Sequence, residues 1–439
     1  MENKINVRRL ALDLLCESER AGKYSPIALD NAIKKYRPDP ADRALLTALV
    51  MGVTEKRILL DYYINKMATV SPSKIEARVR GALRIGLYQL MFMDRIPSHA
   101  AVNESVSLVP RRISGFVNAL LRRYLREGDR IALPRREDGV LRYLSVKYSF
   151  PEELCGRFCE IFGEEKAESV LASFGDGGRL TLRVNNLKIS RETLVEKIRE
   201  GGVEAEPTKY SPDGLRLSSS ASPRELYGFE DGAFFVQDEA SQICVRALGA
   251  EAGMTVIDVC SAPGSKSFGA ALTMEGKGRI LSFDLHENKL SLIRDSAKRL
   301  GIEIVETAAR DGRDFDPTLA EIADRVICDV PCSGYGVMGK KPEIRYKPTT
   351  ESAALPEIQY AILENACRYL KRGGSLIYST CTLLPEENQL NVKRFLDAHP
   401  EFVPEPFSVG ELNAENGMLT LTPDSHGTDG FFVAKLKKN

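Results

Sequence analysis

Apolar residues at positions 7, 10, 11, 14 and 15 of Val7-Arg8-Arg9-Leu10-Ala11-Leu12-Asp13-Leu14-Leu15 fall on one face of a helix. The same spacing recurs over 41–51, 74–93, 101–108 and 115–125, with Pro72, Pro97 and Pro110 punctuating the segments. It predicts an all-helical region over residues 1–135. A polar, turn-rich stretch, 133–139, then reads as a connector. Residues 140–235 mix periods. The stretch 179–184 alternates as a strand does, and Ser190 caps a helix through Thr193, Leu194, Lys197 and Ile198 that closes at Gly201-Gly202. A small α+β module is expected there. From 236 to 439, short apolar strands at 254–259, 279–283, 302–306, 325–329 and 375–378 alternate with helical stretches, the pattern of a parallel α/β sheet. A last strand over 430–436 is expected to be antiparallel, at the edge.

A chain of 439 residues is too long for one ordinary core, so the three regions 1–135, 140–235 and 236–439 are expected to be domains. Hydrophobic residues at 43% and charged residues at 28% describe a globular composition, not a disordered one. No apolar run approaches the ~20 residues of a membrane span. Residues 1–6 lead into no apolar segment, so a cytoplasmic protein without a secretory signal is expected. Nine cysteines without a Cys-x-x-Cys pair, and four histidines without zinc spacing, point to reduced thiols and no metal. The net charge is zero, yet residues 1–135 hold 24 Lys/Arg against 14 Asp/Glu and the remainder 37 against 47. The basic region can attract phosphates.

Ligands of open α/β sheets bind beyond the carboxyl ends of the strands, so the residues after each expected strand are the candidates. Asp258-Val259-Cys260-Ser261-Ala262-Pro263-Gly264-Ser265-Lys266-Ser267 is a small-residue strand-to-helix turn, where backbone amides can approach an anion. It lacks the glycine spacing and the adjacent Gly-Lys-Ser of a nucleotide-triphosphate loop, and it lacks Gly-x-Gly-x-x-Gly. A loop for the methionine part of S-adenosylmethionine remains, against a tight turn with no ligand. Asp284 ends the next strand, where an acid can accept ribose hydroxyls; alone, it could equally cap a helix. Asp311 follows the third strand and can receive an adenine amino group, or simply stand in a turn. Asp329-Val330-Pro331-Cys332 and Ser379-Thr380-Cys381 end the fourth and fifth. Either cysteine alone could be core packing; two at ligand-side strand ends are unusual.

Two thiols suit one reaction in particular. Carbon 5 of cytosine is too weak a nucleophile to take a methyl group unaided, and a thiolate adding at carbon 6 activates it. Spacing does not decide which cysteine attacks.

Cys-Ser-Ala-Pro-Gly-Ser-Lys-Ser (260–267), Asp-Val-Pro-Cys-Ser-Gly (329–334) and Ser-Thr-Cys-Thr-Leu-Leu-Pro-Glu-Glu-Asn (379–388) closely resemble the RNA cytosine-5 methyltransferases of the Nol1/Nop2/Sun group. Gln237-Asp238-Glu239-Ala240-Ser241 and Thr428-Asp429-Gly430-Phe431-Phe432 resemble further signatures of that family. His99-Ala100-Ala101-Val102-Asn103-Glu104 and Gly115-Phe116-Val117-Asn118-Ala119-Leu120-Leu121-Arg122 resemble the NusB-like helical domain. The resemblance implies an all-α NusB-like N-terminal domain that binds RNA, a small α+β (RRM-like) module and a C-terminal α/β Rossmann-like class I methyltransferase domain.

It further implies S-adenosyl-L-methionine as cofactor and a cytidine of 16S ribosomal RNA, free or unfolded, as substrate. By that resemblance Cys381 is the nucleophile, Cys332 assists release of the adduct, and Asp329 faces cytosine N3. Cys260, Ser261, Ala262, Pro263, Gly264, Ser265, Lys266, Asp284, Asp311 and Asp329 then map to cofactor contacts. Another RNA, such as transfer RNA, or DNA, and a non-catalytic RNA-binding scaffold are the alternatives; a monomer is expected. The chain departs from the family pattern at Ser265 and Ser267, where a second glycine and a threonine are usual. It also has Lys340-Lys341 where an arginine pair is frequent; lysine can meet phosphate but cannot copy arginine's fork.

Overall fold

A computed structural model describes residues 5–21, 26–175, 180–218 and 222–439, so the expectations resting on residues 1–4 and on Arg179 lie outside it. The chain forms two compact units, one of residues 1–175 with 341–348, the other of 176–340 with 349–439.

The first unit is helical among its described residues: α1 (Val7–Ala21), α2 (Pro26–Tyr36), α3 (Pro40–Glu55), α4 (Arg57–Met67), α5 (Ala77–Phe92), α6 (Ser98–Ser107), α7 (Arg111–Glu127), α8 (Val140–Tyr148), α9 (Glu152–Phe162) and α10 (Glu164–Ser173). Sequence signals set several boundaries. Asp39 accepts from the Asp42 amide at 2.8 Å with Pro40 in the first turn of α3, and Pro97 and Pro110 cap α6 and α7. The periodic faces meet in one core containing Leu12, Leu46, Leu49, Leu60, Ile64, Leu83 and Leu121. Residues 140–175, read above with the middle module, are helices of this unit. So is the short segment 341–348, which arrives from far along the chain. Its Arg345 is 2% exposed, stacks 4.0 Å from the Phe150 ring centroid and donates to the Glu55 carbonyl at 3.2 Å.

The second unit opens with β1 (Thr181–Val184), α11 (Arg191–Glu200), β2 (Ala205–Pro207), β3 (Gly214–Leu217) and β4 (Phe234–Val236). These strands make an antiparallel sheet in the order β2-β3-β1-β4. Ser190 caps α11 by accepting from the Thr193 amide at 3.2 Å, and Gly201 ends it, as the sequence predicts.

The larger sheet follows: α12 (Glu239–Leu248), β5 (Thr255–Asp258), α13 (Ser265–Thr273), β6 (Arg279–Asp284), α14 (Glu287–Leu300), β7 (Val305–Ala309), β8 (Ala323–Asp329), α15 (Leu355–Ala366), β9 (Leu370–Thr380), α16 (Gln389–Ala398), β10 (Phe402–Pro404), β11 (Phe407–Val409), β12 (Leu412–Ala414), β13 (Met418–Leu421), α17 (Pro423–His426) and β14 (Phe431–Lys438). Its order is β10-β14-β9-β8-β5-β6-β7, with β13 also on β14. Strands β5 to β9 are mutually parallel. The chain winds from β5 to β6 and β7 on one side, then to β8 and β9 on the other, so β5 and β8 flank the point where ligands of such sheets bind.

Two strand expectations need correction. β14 is antiparallel but not at the edge, since β10 and β13 pair on its far side. The third parallel strand is Val305–Ala309, not 302–306. Gly301 ends α14 at φ +70° and the Ile302 amide donates back to the Ala297 carbonyl at 2.9 Å. Ile302 is therefore the apolar residue of a helix C-cap, not the start of a strand. Among the described residues, no helix is long and apolar enough to cross a membrane.

Candidate active site

The carboxyl ends of β5, β6, β8 and β9 bring the expected residues to one side of the sheet. After β5, the Ser261 amide and hydroxyl both donate to the Phe283 carbonyl, at 2.7 and 2.9 Å, and the Gly264 amide donates to the Ser261 carbonyl at 2.6 Å. This folds Cys260 to Gly264 into a tight loop. Gly264 has φ +106°, and a Cβ there would collide with the Phe268 ring, so both backbone and space require glycine. Gly264 opens α13 without a side-chain N-cap. Asp284, buried at the end of β6, accepts from the Ala262 amide at 3.3 Å and the His286 amide at 3.0 Å. Asp311 lies just past β7, clasped by Arg313, whose hydrogen bonds hold its carboxyl below the usual carboxylate range.

Ser267, which replaces the usual threonine, has a defined role. Its hydroxyl donates to Asp258 Oδ2 at 2.7 Å and meets the Ser282 hydroxyl at 2.8 Å. The other oxygen of Asp258 has no hydrogen-bond partner. Burial pushes the Asp258 carboxyl up to about 7, and the Asp329 charge adds to it. An acid raised on folding is protonated in the folded state while the unfolded chain has already ionised. Stability is thus complete below pH ~4 and falls as pH rises to about 7. Asp258→Asn is expected to remove that slope and to gain roughly 2–4 kcal/mol over wild type at pH 8. Urea unfolding of both proteins at pH 5 and 8 measures it; parallel pH dependences would refute it.

At the end of β8, Asp329 Oδ2 accepts from Lys266 Nζ at 2.7 Å and Oδ1 from the Ser379 hydroxyl at 2.7 Å. Lys266, expected among the cofactor contacts, reaches across to Asp329 with its ammonium, which lies 5.1 Å from the Phe431 ring centroid. Burial, the largest single effect, opposes the Lys266 charge, but Asp329, Cys244 and Asp258 together outweigh it and hold the ammonium above its ordinary pKa.

The two strand-end cysteines come together. Cys332 Sγ and Cys381 Sγ are 2.9 Å apart, and the Cys381 amide donates to Cys332 Sγ at 3.3 Å. Neither is in a disulfide. The hydrogen bond with Cys381 pushes the Cys332 thiol well up, and burial and the charges of Cys381 and Glu387 add to it. Cys332 therefore holds its proton while Cys381 lies beside it.

Several supporting residues escaped the sequence reading. Glu387 accepts from the Ser333 amide at 3.0 Å and from Gln359 Nε2 at 2.7 Å, fixing the turn after Cys332. Ser379 and Glu387 lie in the motif that was read only for its cysteine, so two of these supports were legible there as polar residues around the candidate nucleophile. Gln237 donates to the Ser265 carbonyl at 3.0 Å, tying the stretch before α12 to the first turn of α13. Lys340 is directed to two carboxylates, Asp238 and Asp429.

Comparison with known proteins finds three matched stretches of the chain. Residues 5–126 match the NusB family, 150–223 a ferredoxin-like domain of RsmF/B-like methyltransferases, and 245–437 the 16S rRNA methyltransferase RsmB/F family. A Bacillus subtilis protein named probable ribosomal RNA small subunit methyltransferase B is 36% identical, over 99% of each chain. Ribosomal RNA small subunit methyltransferase B of Klebsiella pneumoniae is 32% identical over 100% of this chain and 99% of its own. Among solved structures, PH0851 superposes with a TM-score of 0.80 at 29% identity, covering 99% of this chain and 98% of that one. NSun6 from Pyrococcus horikoshii, solved with SFG, gives a TM-score of 0.59 at 26% identity over 66% of this chain and 99% of its own. Matched from the helical region through the ferredoxin-like module to the last strand of the large sheet, the chain belongs to the ribosomal RNA small subunit methyltransferase B family of RNA methyltransferases.

Proposed function

We propose that this protein transfers a methyl group from S-adenosylmethionine to carbon 5 of a cytidine in 16S ribosomal RNA, through a covalent bond between Cys381 and carbon 6. The observation that carries this reading is the pair of thiols 2.9 Å apart, beside an Asp329–Lys266 ion pair, at the ligand end of the sheet. Methylation of an exocyclic amine or a hydroxyl has no use for two thiols.

The residues present suit the methyl donor. The uncapped first turn of α13 and the Gly264 turn offer amides to a carboxylate, and an acid such as Asp284 at the end of β6 can accept a vicinal diol. Cys260 to Lys266, Asp284, Asp311 and Asp329 are the residues assigned to hold it. Bound there, S-adenosylmethionine supplies an electrophilic methyl group.

Cys381 adds as a thiolate to carbon 6, and the carbon 5–carbon 6 double bond opens toward ring N3. Asp329 faces N3, and Lys266, kept protonated beside it, supplies a proton where negative charge develops. Carbon 5, now nucleophilic, accepts the methyl group. The carbon 5 proton is then removed, the carbon 6–sulfur bond breaks with its electron pair leaving on Cys381 as a thiolate, the ring double bond returns, and N3 gives its proton back to the Asp329–Lys266 pair.

The electrostatics of the thiol pair favour this order. The hydrogen bond with Cys381 is the largest cause that keeps Cys332 protonated, followed by burial and then the Cys381 charge. Once Cys381 is a neutral thioether, its hydrogen bond and charge no longer raise the Cys332 thiol, so Cys332 can give up its proton to solvent and, as a thiolate, take the carbon 5 proton that release requires. The basic helical region, with NusB-family similarity, supplies affinity for RNA phosphates.

Small-subunit RNA made with cytidine tritiated at carbon 5 tests the reading. One tritium released to water for each methyl group incorporated is expected. Methyl incorporation without release would place the methyl group elsewhere and sink the proposal.

A further inference from the structure

Lys340 has no part in the chemistry above, yet it sits in an unusual setting. Its Nζ donates to Asp429 Oδ2 at 2.9 Å and also to Asp238 Oδ2, and the Asp429 amide donates to Asp238 Oδ1 at 3.2 Å. All three side chains are largely buried. Two carboxylates around one ammonium leave a negative cluster, a poor place for an RNA phosphate. Burial would raise the Asp238 carboxyl, but Lys340 outweighs it and holds it low; burial and the neighbouring Asp238 push Asp429 up to about 7. Both carboxyls depend on the lysine.

The cluster closes a joint in the backbone. From Cys332 the chain runs through Gly336 to Lys340. The Gly336 amide donates to the Cys381 carbonyl at 2.9 Å, and the Gly430 amide donates to the Gly336 carbonyl at 2.8 Å. A Cβ on Gly336 would fall on the Gly430 carbonyl and crowd that of Cys381. The end of β9, the loop after Cys332 and the start of β14 therefore meet at Gly336. Lys340 ties the far end of that loop to Asp429, the residue just before Gly430, and to Asp238 at the start of α12.

We propose that the Lys340–Asp238–Asp429 cluster is a positioning device, which holds the loop after Cys332 against the end of β9 and so sets the spacing of the Cys332 and Cys381 thiols. The proposal rests on the assignment of those thiols made above. It gives the motifs at 237–241 and 428–432 a shared purpose, and it requires a cation at position 340 for its charge, with RNA contact playing no part.

The test compares the full chain with Lys340→Met, Lys340→Arg and Asp429→Asn. Single-turnover methylation is measured at saturating small-subunit RNA and S-adenosylmethionine, alongside the affinity for RNA across a salt series. Lys340→Met is expected to slow single turnover roughly tenfold to a hundredfold, as sub-ångström misplacement of reacting groups does, with RNA affinity and its salt dependence unchanged. Lys340→Arg should restore the rate to within about threefold of wild type, because the cation returns. Asp429→Asn should fall between them; it carries the test if Lys340→Met does not fold. A Lys340→Met rate within about twofold of wild type overturns the proposal. So does a loss confined to RNA affinity with a shallower salt dependence, the mark of a phosphate contact. Wild type releasing no tritium from carbon 5 would instead defeat the cytosine reading, whatever the variants do.

Discussion

Replacing Cys381 with alanine is expected to lower methylation of small-subunit RNA by about 10⁴- to 10⁶-fold, the scale seen when an enzyme loses its nucleophile, and to leave no protein–RNA adduct. The side chain is half-buried and directly follows β9, a strand fixed on both sides by β8 and β14. Alanine removes only the sulfur, so the fold and the loop after β5 should persist. Binding of S-adenosylmethionine, followed by calorimetry, should match wild type within about twofold, while labelled methyl transfer disappears. An adduct surviving denaturing electrophoresis in Cys381→Ala would reassign the nucleophile to Cys332.

Cys332→Ala should behave in the opposite way. Attack and methyl transfer need only Cys381, so the covalent complex should form and then persist for want of a group to take the carbon 5 proton. Turnover is expected to drop about 10²- to 10⁴-fold, the usual worth of a positioned general base. A single equivalent of RNA should remain attached to the protein, visible as a band shifted on a denaturing gel and sensitive to ribonuclease. Normal turnover with no trapped complex would remove Cys332 from the reaction. The two variants thus separate attack from release, which the spacing of the cysteines along the chain cannot do.

Much of the site is written locally in the sequence. The loop at 260–267 and the residues after β6, β8 and β9 are contiguous motifs, and strand ends that face a ligand lie next to their apolar runs. Ser190 and Gly201 bound α11 where capping chemistry places them. What escaped is non-local. Lys340 finds its carboxylates 102 and 89 residues away, and no periodicity links such positions. The reading of 302–306 as a strand failed because Ile302 is apolar for the sake of a helix cap, while Val305–Ala309 lacks a clean alternation of buried and exposed residues. Strands β10 to β13 are three or four residues each, too short to show a period, and without them β14 looked like an edge. Helices α8 to α10 group with the helical unit, while the ferredoxin-like family match takes in α9 and α10 with the module that follows; sequence adjacency says nothing of which core a helix joins.

The buried Arg345 has a consequence for the order in which the protein is made. Residues 1–175 leave the ribosome first, yet the helical unit they build lacks 341–348 until the chain has grown through all of 176–340. Until then the Phe150 ring has no guanidinium over it, and the Glu55 carbonyl lacks one of its donors. The unit that begins folding earliest is thus among the last to be completed. The same threading constrains inheritance: one crossover in the gene after codon 175 would part the helical unit from Arg345, so the two units can be exchanged between relatives only if the eight-residue segment 341–348 travels with its helices.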